Sequence, residues 1–371
     1  MRIAVIGVGG TGSAALRQLA KAGHSVTGFE QFTIGHDRGS SHGESRIIRY
    51  TYPDLLYTQM MGDAYPLWAE LEEEAQESLF VRCGGLYFGK ETDKNVHITE
   101  QSLKEVRLPY DRLNAQEAED RFPAFRFADD EIILYQPESG LLRASRVVRA
   151  NVRLALEAGA SLKENTTVTE IRQAGAEIIV QTADGAEEAF DRAIVTVGAW
   201  ASTLFPQLRM PLVVTRQQVI YLTIGQNDAH FQQGSLPVWI DSTTNYYGFP
   251  NDDIISGAKI ASHNHGNAVD PNSVEREVEP SYCESVCAYA HTRLPDLTQE
   301  VTYKSVCLYT NTPDEDFILD TVPDMPHILL VSACSGHGFK FTTLMGKIAA
   351  ELTTGGVYPH SLSRFALSRF A

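Results

Sequence analysis

The chain opens with Arg2-Ile3-Ala4-Val5-Ile6-Gly7-Val8-Gly9-Gly10-Thr11-Gly12 and, thirteen residues later, reads Ser25-Val26-Thr27-Gly28-Phe29-Glu30. Arg2–Ile6 is a short apolar run of the kind that forms a buried parallel strand. Gly7, Gly9 and Gly12 follow in the pattern G-x-G-x-x-G. Leu16, Leu19 and Ala20 then recur at helical spacing up to Gly23, which suits the residue just past a helix end. Ser25–Phe29 reads as a second strand, with Glu30 at its close. A G-x-G-x-x-G alone would be a weak signal; the two strands, the helix and the acid around it give the order of a dinucleotide-binding βαβ unit. In such a unit the glycines permit a tight turn and close backbone approach, the helix N-terminus faces the pyrophosphate, and the carboxylate takes the ribose hydroxyls. An acid rather than an arginine at position 30 disfavours a 2′-phosphate, so FAD or NAD is expected before NADP.

Outside that unit, 371 residues are enough for two domains with sizeable cores. A hydrophobic content of 43% and a charged content of 21% are ordinary for a soluble globular protein. The net charge of -16 disfavours nucleic acid as a partner. No apolar run approaches the roughly 18 residues needed to span a bilayer. A fold-forming strand at the start leaves no room for a signal peptide, and Arg369-Phe370-Ala371 is not the peroxisomal S-K-L address, so a cytoplasmic protein is expected. Five scattered cysteines, Cys83, Cys283, Cys287, Cys307 and Cys334, do not form a disulfide framework. Cys283 and Cys287 would be neighbours on one helix face, but no second pair at ligand spacing accompanies them, and no metal site is expected.

Further along, the spacing predicts helices over Tyr57–Glu74 and Ala144–Glu157, a helix start capped by Asn114, and a strand near Cys83–Phe88. Ser161–Ile171 reads as a strand pair, and Asp184-Gly185 after Glu177–Thr182 as a hairpin turn. Residues 90–140 are otherwise a mixed polar stretch. Ala193–Val197 is a buried strand that opens onto a helix at Gly198-Ala199-Trp200. Val213–Thr215, Gln218–Thr223, Val238–Ile240, Tyr246–Phe249 and Ile254–Ile260 make the segment from Pro211 to about Tyr309 rich in strands. Ile328–Val331, the turn Gly336–Lys340 and a helix over Phe341–Leu352 return to the α/β style, with Gly355-Gly356 as the stop. The expected fold is therefore α/β with α+β inserts: a Rossmann-like dinucleotide-binding domain and a second, sheet-rich substrate domain, interleaved in sequence. The boundaries read as 1–82, 142–211 and 313–371 for the first and 83–141 and 212–312 for the second.

Four clusters can carry chemistry. In Gly39–Arg49, His42, Arg46 and Arg49 lie where the far half of a dinucleotide must pass, and Arg46 and Arg49, three apart, would share one face of a helix. Their guanidinium forks suit a carboxylate or phosphate, although a solvated pair of surface arginines is the plainer alternative. In Gly257–His263, Lys259 sits within an apolar strand, where an ammonium is costly unless it faces a polar cavity; an edge-strand lysine in solvent is the alternative. In Lys304–Phe317, Cys307 lies in a short strand before a turn rich in Asn, Pro and Asp, and a buried structural thiol is the alternative. The Gly336–Lys340 turn offers free N–H groups and a helix dipole to negative charge on a cofactor ring.

Taken together these clusters resemble the monomeric sarcosine oxidase and N-methyltryptophan oxidase family of covalent flavoprotein amine oxidases. Cys307-Leu308-Tyr309-Thr310, Thr312-Pro313-Asp314-Glu315 and Phe317-Ile318 are similar to its C-x-Y-T-x-T-P-D-x-x-F-I signature; Ser41-His42-Gly43, Arg46–Arg49 and Gly336–Lys340 follow the same family pattern. The resemblance implies FAD joined through a thioether from Cys307 to the 8α-methyl group. It also implies Arg49 and Lys340 as a substrate carboxylate clamp, Lys259 as the residue that promotes reaction with oxygen, and His263 near the substrate amine. Arg46 and His42 would flank the flavin and assist its attachment. Gly7, Gly9, Gly12, Glu30, Ser41, His42, Arg46, Val168, Gly198, Trp200, Cys307, Gly338 and Lys340 are the cofactor contacts so implied, and Lys259, His263, Arg49, Lys340 and Tyr309 the catalytic set. Tyr246, Tyr247, Tyr309 and His263 would line the substrate wall. Val197 replaces the Thr of the family's T-G-A-W turn, and Ser41 and Glu44-Ser45 stand where His and Asp-Thr are common. The implied reaction oxidises a secondary amino acid such as sarcosine to an imine, which hydrolyses to an aldehyde and an amino acid, with O2 reduced to H2O2 by a monomer. A flavin dehydrogenase with another acceptor, an oxidase of pipecolate or fructosyl amino acids, and a non-catalytic flavin sensor are the rivals.

Overall fold

A computed structural model describes residues 1–370. Among them Arg2–Ile6 forms the strand its apolar run predicts, with Ile3, Ala4 and Val5 fully buried. It lies inside a six-stranded sheet in the order Ile318–Val322, Met325–Ser332, Arg192–Val195, Arg2–Ile6, Ser25–Phe29, Ser161–Lys163. All neighbours run parallel except the first pair. Burial on both faces explains why these strands are continuous apolar runs rather than alternating ones. The strand order reverses direction between Arg2–Ile6 and Arg192–Val195, and the crevice beyond their carboxyl ends is where doubly wound sheets bind ligands.

Helices Gly10–Lys21, Ala144–Glu157 and Thr342–Thr353 share one hydrophobic core over this sheet, built from Leu16, Leu19, Val147, Leu344 and Ile348. Each such side chain, once buried, contributes about 1.5–3 kcal/mol. The first and last of these helices meet at backbone distance: a Cβ on Gly346 would lie 2.5 Å from the Ala14 Cβ and 2.7 Å from the Ala15 nitrogen. The opposite face is covered by the antiparallel strands Val168–Ala174, Glu177–Thr182 and Glu187–Phe190.

The second sheet has eight strands, in the order Leu297–Asn311, Val213–Ile224, Ala258–Ser262, Tyr246–Gly248, Val238–Asp241, Gly85–Lys90, Glu131–Gln136, Asp111–Leu113. Its core holds Phe88, Phe125, Ile220, Trp239 and Val286, the last from the helix Pro280–Arg293. The small sheet of Arg46–Ile48, Gly140–Leu142 and Phe80–Arg82 carries the first sheet's chain into the second.

Several local readings change. Arg46–Ile48 is a strand, not a helix, so Arg46 and Arg49 do not share a helical face; antiparallel pairing with Gly140–Leu142 takes its backbone hydrogen bonds. Ser161–Lys163 and Val168–Ala174 do not pair with each other: the first joins Ser25–Phe29 and the second joins Glu177–Thr182. The stretch 90–140 contains the helix Lys94–Glu105 and the buried strand Glu131–Gln136. Val213–Thr215 and Gln218–Thr223 are one strand, and Cys307 lies in a strand of 15 residues. The strand around Lys259 starts only at Ala258, because the Asp252 carboxylate accepts from the backbone N–H groups of Ile254 and Ile255 and holds that segment as a loop. Asn114 does cap its helix, in a reciprocal box with Glu117.

Candidate active site

The turn after the first strand is shaped by contacts no other residue type allows. A Cβ on Gly12 would sit 1.9 Å from the Gly7 carbonyl oxygen and 2.5 Å from Thr196 Oγ1, and Gly7 itself has φ +85°. Gly9 caps the helix without a side chain, so the first amides of Gly10–Lys21 face the crevice. Gly10 N–H donates to Ser41 Oγ at 2.9 Å. Glu30 is buried and its Oε2 accepts from the Val8 N–H at 2.9 Å. Gly7, Gly9, Glu30, Val168, Gly198 and Trp200 line a cavity of about 340 Å3 there.

A second cavity, of about 270 Å3, meets the first at Gly9, Ser41, Thr196 and Gly198. One end suits an adenosine and the other a ring system, which is the shape a dinucleotide demands. His42, Arg46, Lys259, Cys307 and Gly338 border this second space. Arg46 is held by three carbonyls, donating to Ser45, Ser40 and His42 at 2.9, 3.0 and 2.7 Å. Burial and the neighbouring Arg46 push the His42 pKa down to about 3, so it is neutral, and its Nε2 is buried without a protein partner. Lys259 is 4% exposed and lies in an interior strand, which excludes the solvated edge position. Its Nζ donates to Ser45 O at 3.0 Å and Ser45 Oγ at 3.1 Å, and stands 4.5 Å from the Phe249 ring centre. Desolvation first, and Arg46 second, lower its pKa to about 7. Burial raises the Cys307 thiol, while Arg46 and Lys259 act in the opposite sense.

Arg49, Lys340, His263 and Tyr309 border the same cavity. Lys340 comes from a 3₁₀ turn, Phe339–Phe341, and is 5% exposed. Its Nζ donates to Tyr52 OH at 2.8 Å and to His337 O at 2.6 Å, and burial with Arg49 nearby holds its pKa well below the usual lysine range. The Arg49 guanidinium stacks 4.2 Å from the Tyr52 ring centre and 5.4 Å from that of Tyr87, with one terminal nitrogen buried and unpartnered. Among the described residues, neither Arg49 nor Lys340 pairs with a carboxylate. Two cations without a counter-ion, in a wall of aromatic rings, form a site for an anion. His263 Nδ1 faces Tyr309 OH at 3.4 Å, and its pKa falls to about 4 through burial, Arg49 and Lys340. Gly336 is required here, since a Cβ would lie 2.6 Å from the Tyr309 ring and 2.7 Å from His263. Tyr247 lines the cavity, but Tyr246 points to the other face of the strand and stacks on Tyr289 at 4.1 Å.

Tyr52, Ser45 and His337 are the site residues that sequence reading missed. Ser45 and His337 lie inside two of the clusters singled out above, but nothing in those motifs marks them rather than their neighbours; Tyr52 lies outside every motif, and only its two-residue offset from Tyr50 after Arg49 hints at a strand-like edge beside the cavity.

Fold and cavity together define an oxidoreductase built around a dinucleotide. The chain belongs to the FAD dependent oxidoreductase family, whose model matches residues 2–352. It is 33% identical to monomeric sarcosine oxidase of Streptomyces avermitilis over 376 residues, covering 100% of this chain and 97% of that protein. To N-methyl-L-tryptophan oxidase of Yersinia pestis it is 31% identical over 374 residues, covering 99% and 98%. Its fold is similar to that of the open form of NikD, described as an amino acid oxidase essential for nikkomycin biosynthesis, at TM-score 0.85 and 24% identity, over 98% of this chain and 96% of that one. No helix among the described residues is long and apolar enough to cross a membrane, and no group of three or more His, Cys, Asp or Glu there could hold a metal.

Proposed function

We propose that this protein is an FAD-dependent oxidase of secondary amino acids, of which sarcosine and other N-methyl amino acids are the favoured substrates. The observation that carries the reading is the uncompensated pair Arg49 and Lys340 in the cavity that also holds Cys307. The paired cavities, the glycine cradle, Glu30 and the unpartnered His42 nitrogen fit FAD, with Gly7, Gly9, Gly12, Glu30, Val168, Gly198 and Trp200 toward its adenosine half and Ser41, His42, Arg46, Cys307 and Gly338 toward its ring. FAD would supply the two-electron acceptor for the amine and the route of those electrons to O2, which leaves as H2O2.

The protein's share is positioning and electrostatics. Arg49 and the free N–H of Lys340 grip the carboxylate and so fix where the N-alkyl carbon lies. His263, neutral above about pH 4, can accept a hydrogen bond from the amine N–H and so orient its lone pair. Tyr309 and Tyr247 shape the wall around the N-alkyl group. Lys259, poised near neutrality on the far side of Ser45, offers positive charge where reduced oxygen develops. The imine then hydrolyses to an aldehyde and an amino acid. In this reading residues 1–82, 142–211 and 313–371 carry the cofactor and 83–141 and 212–312 the substrate wall, the flavin is bonded to Cys307, and the enzyme acts as a cytoplasmic monomer.

Two measurements test this together. Acid precipitation should give a yellow pellet, and Cys307→Ser should leave the yellow in the supernatant. Sarcosine, other N-methyl amino acids and cyclic amino acids, added without oxygen, should bleach the flavin, and air should restore it with one H2O2 per turnover. No bleaching by any of them would overturn the reading; bleaching with slow reoxidation by O2 would make the protein a dehydrogenase.

A further inference from the structure

One ring touches both cations of the proposed clamp. Tyr52 is 5% exposed. Its face carries the Arg49 guanidinium, 4.2 Å from the ring centre, and its hydroxyl receives a hydrogen bond from Lys340 Nζ at 2.8 Å. The hydroxyl also lies 3.2 Å from His337 Nδ1. The direction of that second bond is fixed from behind. His337 Nε2 faces the Glu315 carbonyl at 3.0 Å, and a carbonyl only accepts, so the imidazole proton sits on Nε2 and Nδ1 is left as an acceptor. Tyr52 O–H therefore donates to His337, with Nδ1 at 3.2 Å nearer than the carbonyl oxygen at 3.4 Å, and turns its oxygen lone pairs to Lys340.

The imidazole itself is held flat against Phe317, at 4.8 Å and 24° between planes. Behind Tyr52 stands Tyr57, stacked at 5.4 Å and bonded through its hydroxyl to Asp316 at 2.9 Å, which also takes Arg364. Lys340 has three N–H groups. Tyr52 and the His337 carbonyl take two, and tetrahedral geometry then sets the direction of the third. Arg49 faces Lys340 from the end of the strand Arg46–Ile48, and His263 from the strand Ala258–Ser262; the carboxylates of Asp54 and Asp316 act on Tyr52 and Tyr57 rather than on the ammonium.

We infer that Tyr52, oriented by His337, is a positioning residue that holds Arg49 and Lys340 together as one anion clamp and keeps the Lys340 proton in place. Aligned π density and an oxygen lone pair replace the carboxylate that would otherwise balance two buried cations, and they do so without occupying the anion's seat. This rests on the clamp reading above. Tyr52→Phe keeps the ring under Arg49 and removes only the oxygen.

The test uses the holoenzyme and propionate, a carboxylate without an amine, with binding read from perturbation of the flavin absorption spectrum across alkaline pH. Propionamide is the uncharged control. Lys340 must be charged to bind an anion, so affinity holds below its pKa and falls above it. Tyr52→Phe should weaken propionate about 10- to 100-fold, as expected for loss of a hydrogen bond to a charged group, and move the alkaline limb to lower pH, with propionamide unaffected. KM for the amino acid should rise more than kcat falls. His337→Gln should shift the same limb in the same direction, and carries the test if Tyr52→Phe does not fold. An unmoved limb with affinity within twofold in both variants, while Lys340→Met weakens propionate, overturns the inference. Propionate binding that ignores Lys340→Met overturns the clamp on which it stands.

Discussion

Replacing Lys259 by Met should leave a mark on stability as well as on turnover. Burial holds the Lys259 pKa at about 7 against 10.5 in the unfolded chain. The unfolded state therefore binds this proton more tightly than the folded one between those values. Stability contributed by the group is lowest below about pH 7, rises through the interval and is level above 10.5. At about 1.36 kcal/mol for each pH step, the whole interval amounts to about 5 kcal/mol. The Met variant has no proton to lose. Urea unfolding of the two purified proteins at matched pH should therefore show wild type minus variant climbing by about 5 kcal/mol from neutral to strongly alkaline conditions. The slope, not the level, is the readout, since Met also changes the contacts to Ser45 and Phe249. In the same variant, flavin reduction by substrate should keep its rate while reoxidation by O2 slows by at least about tenfold, the scale of one electrostatic group near a developing charge. A flat difference across pH would mean that Lys259 is solvated and that the reasoning from its burial fails.

Other outcomes follow from single contacts. Gly12→Ala places a methyl group 1.9 Å from a carbonyl oxygen and should abolish flavin retention, read as loss of visible absorbance in the purified protein. Arg49→Ala should raise KM for carboxylate substrates about 10- to 100-fold with a smaller fall in kcat, the worth of a hydrogen bond between charged groups. His263 should stay neutral from pH 9 down to about pH 4; because its folded pKa is depressed, it costs stability as pH falls below the ordinary 6.5. An NMR resonance that disappears in His263→Asn and titrates near 6.5 in the wild type would contradict this.

How much of this was legible in the sequence varies with the physics of each segment. The strand–turn–helix–strand order of Arg2–Phe29 is read correctly because its apolar runs and glycine turn are local signals, with Gly12 pressed against the Gly7 carbonyl. Ala144–Glu157 is likewise clear, since its apolar stripe keeps one period throughout. The strand Arg46–Ile48 was mistaken because two arginines three apart suit a helix equally well, and only pairing with Gly140–Leu142, nearly a hundred residues on, decides the matter. Ser161–Lys163 and Val168–Ala174 look like partners because they are adjacent, yet the first pairs with the remote Ser25–Phe29 and the second with the strand that follows it, Glu177–Thr182. Lys259 could be flagged as misplaced but not located, because an interior strand and an edge strand share one pattern. Tyr52 left only the hint of its spacing from Tyr50: its work depends on a hydroxyl direction set by His337 and Glu315, from the other end of the chain.

The contact between Gly346 and Ala14 has a consequence for truncated chains. The helix proposed to receive the pyrophosphate, Gly10–Lys21, packs against one that lies far along the chain, Thr342–Thr353. The strands Arg192–Val195 and Met325–Ser332 that complete the sheet around Arg2–Ile6 also come late. The N-terminal unit therefore leaves much of its apolar surface unclosed until these distant segments join it. A chain cut before Gly346 loses the helix that packs on Gly10–Lys21 and should fail to retain flavin.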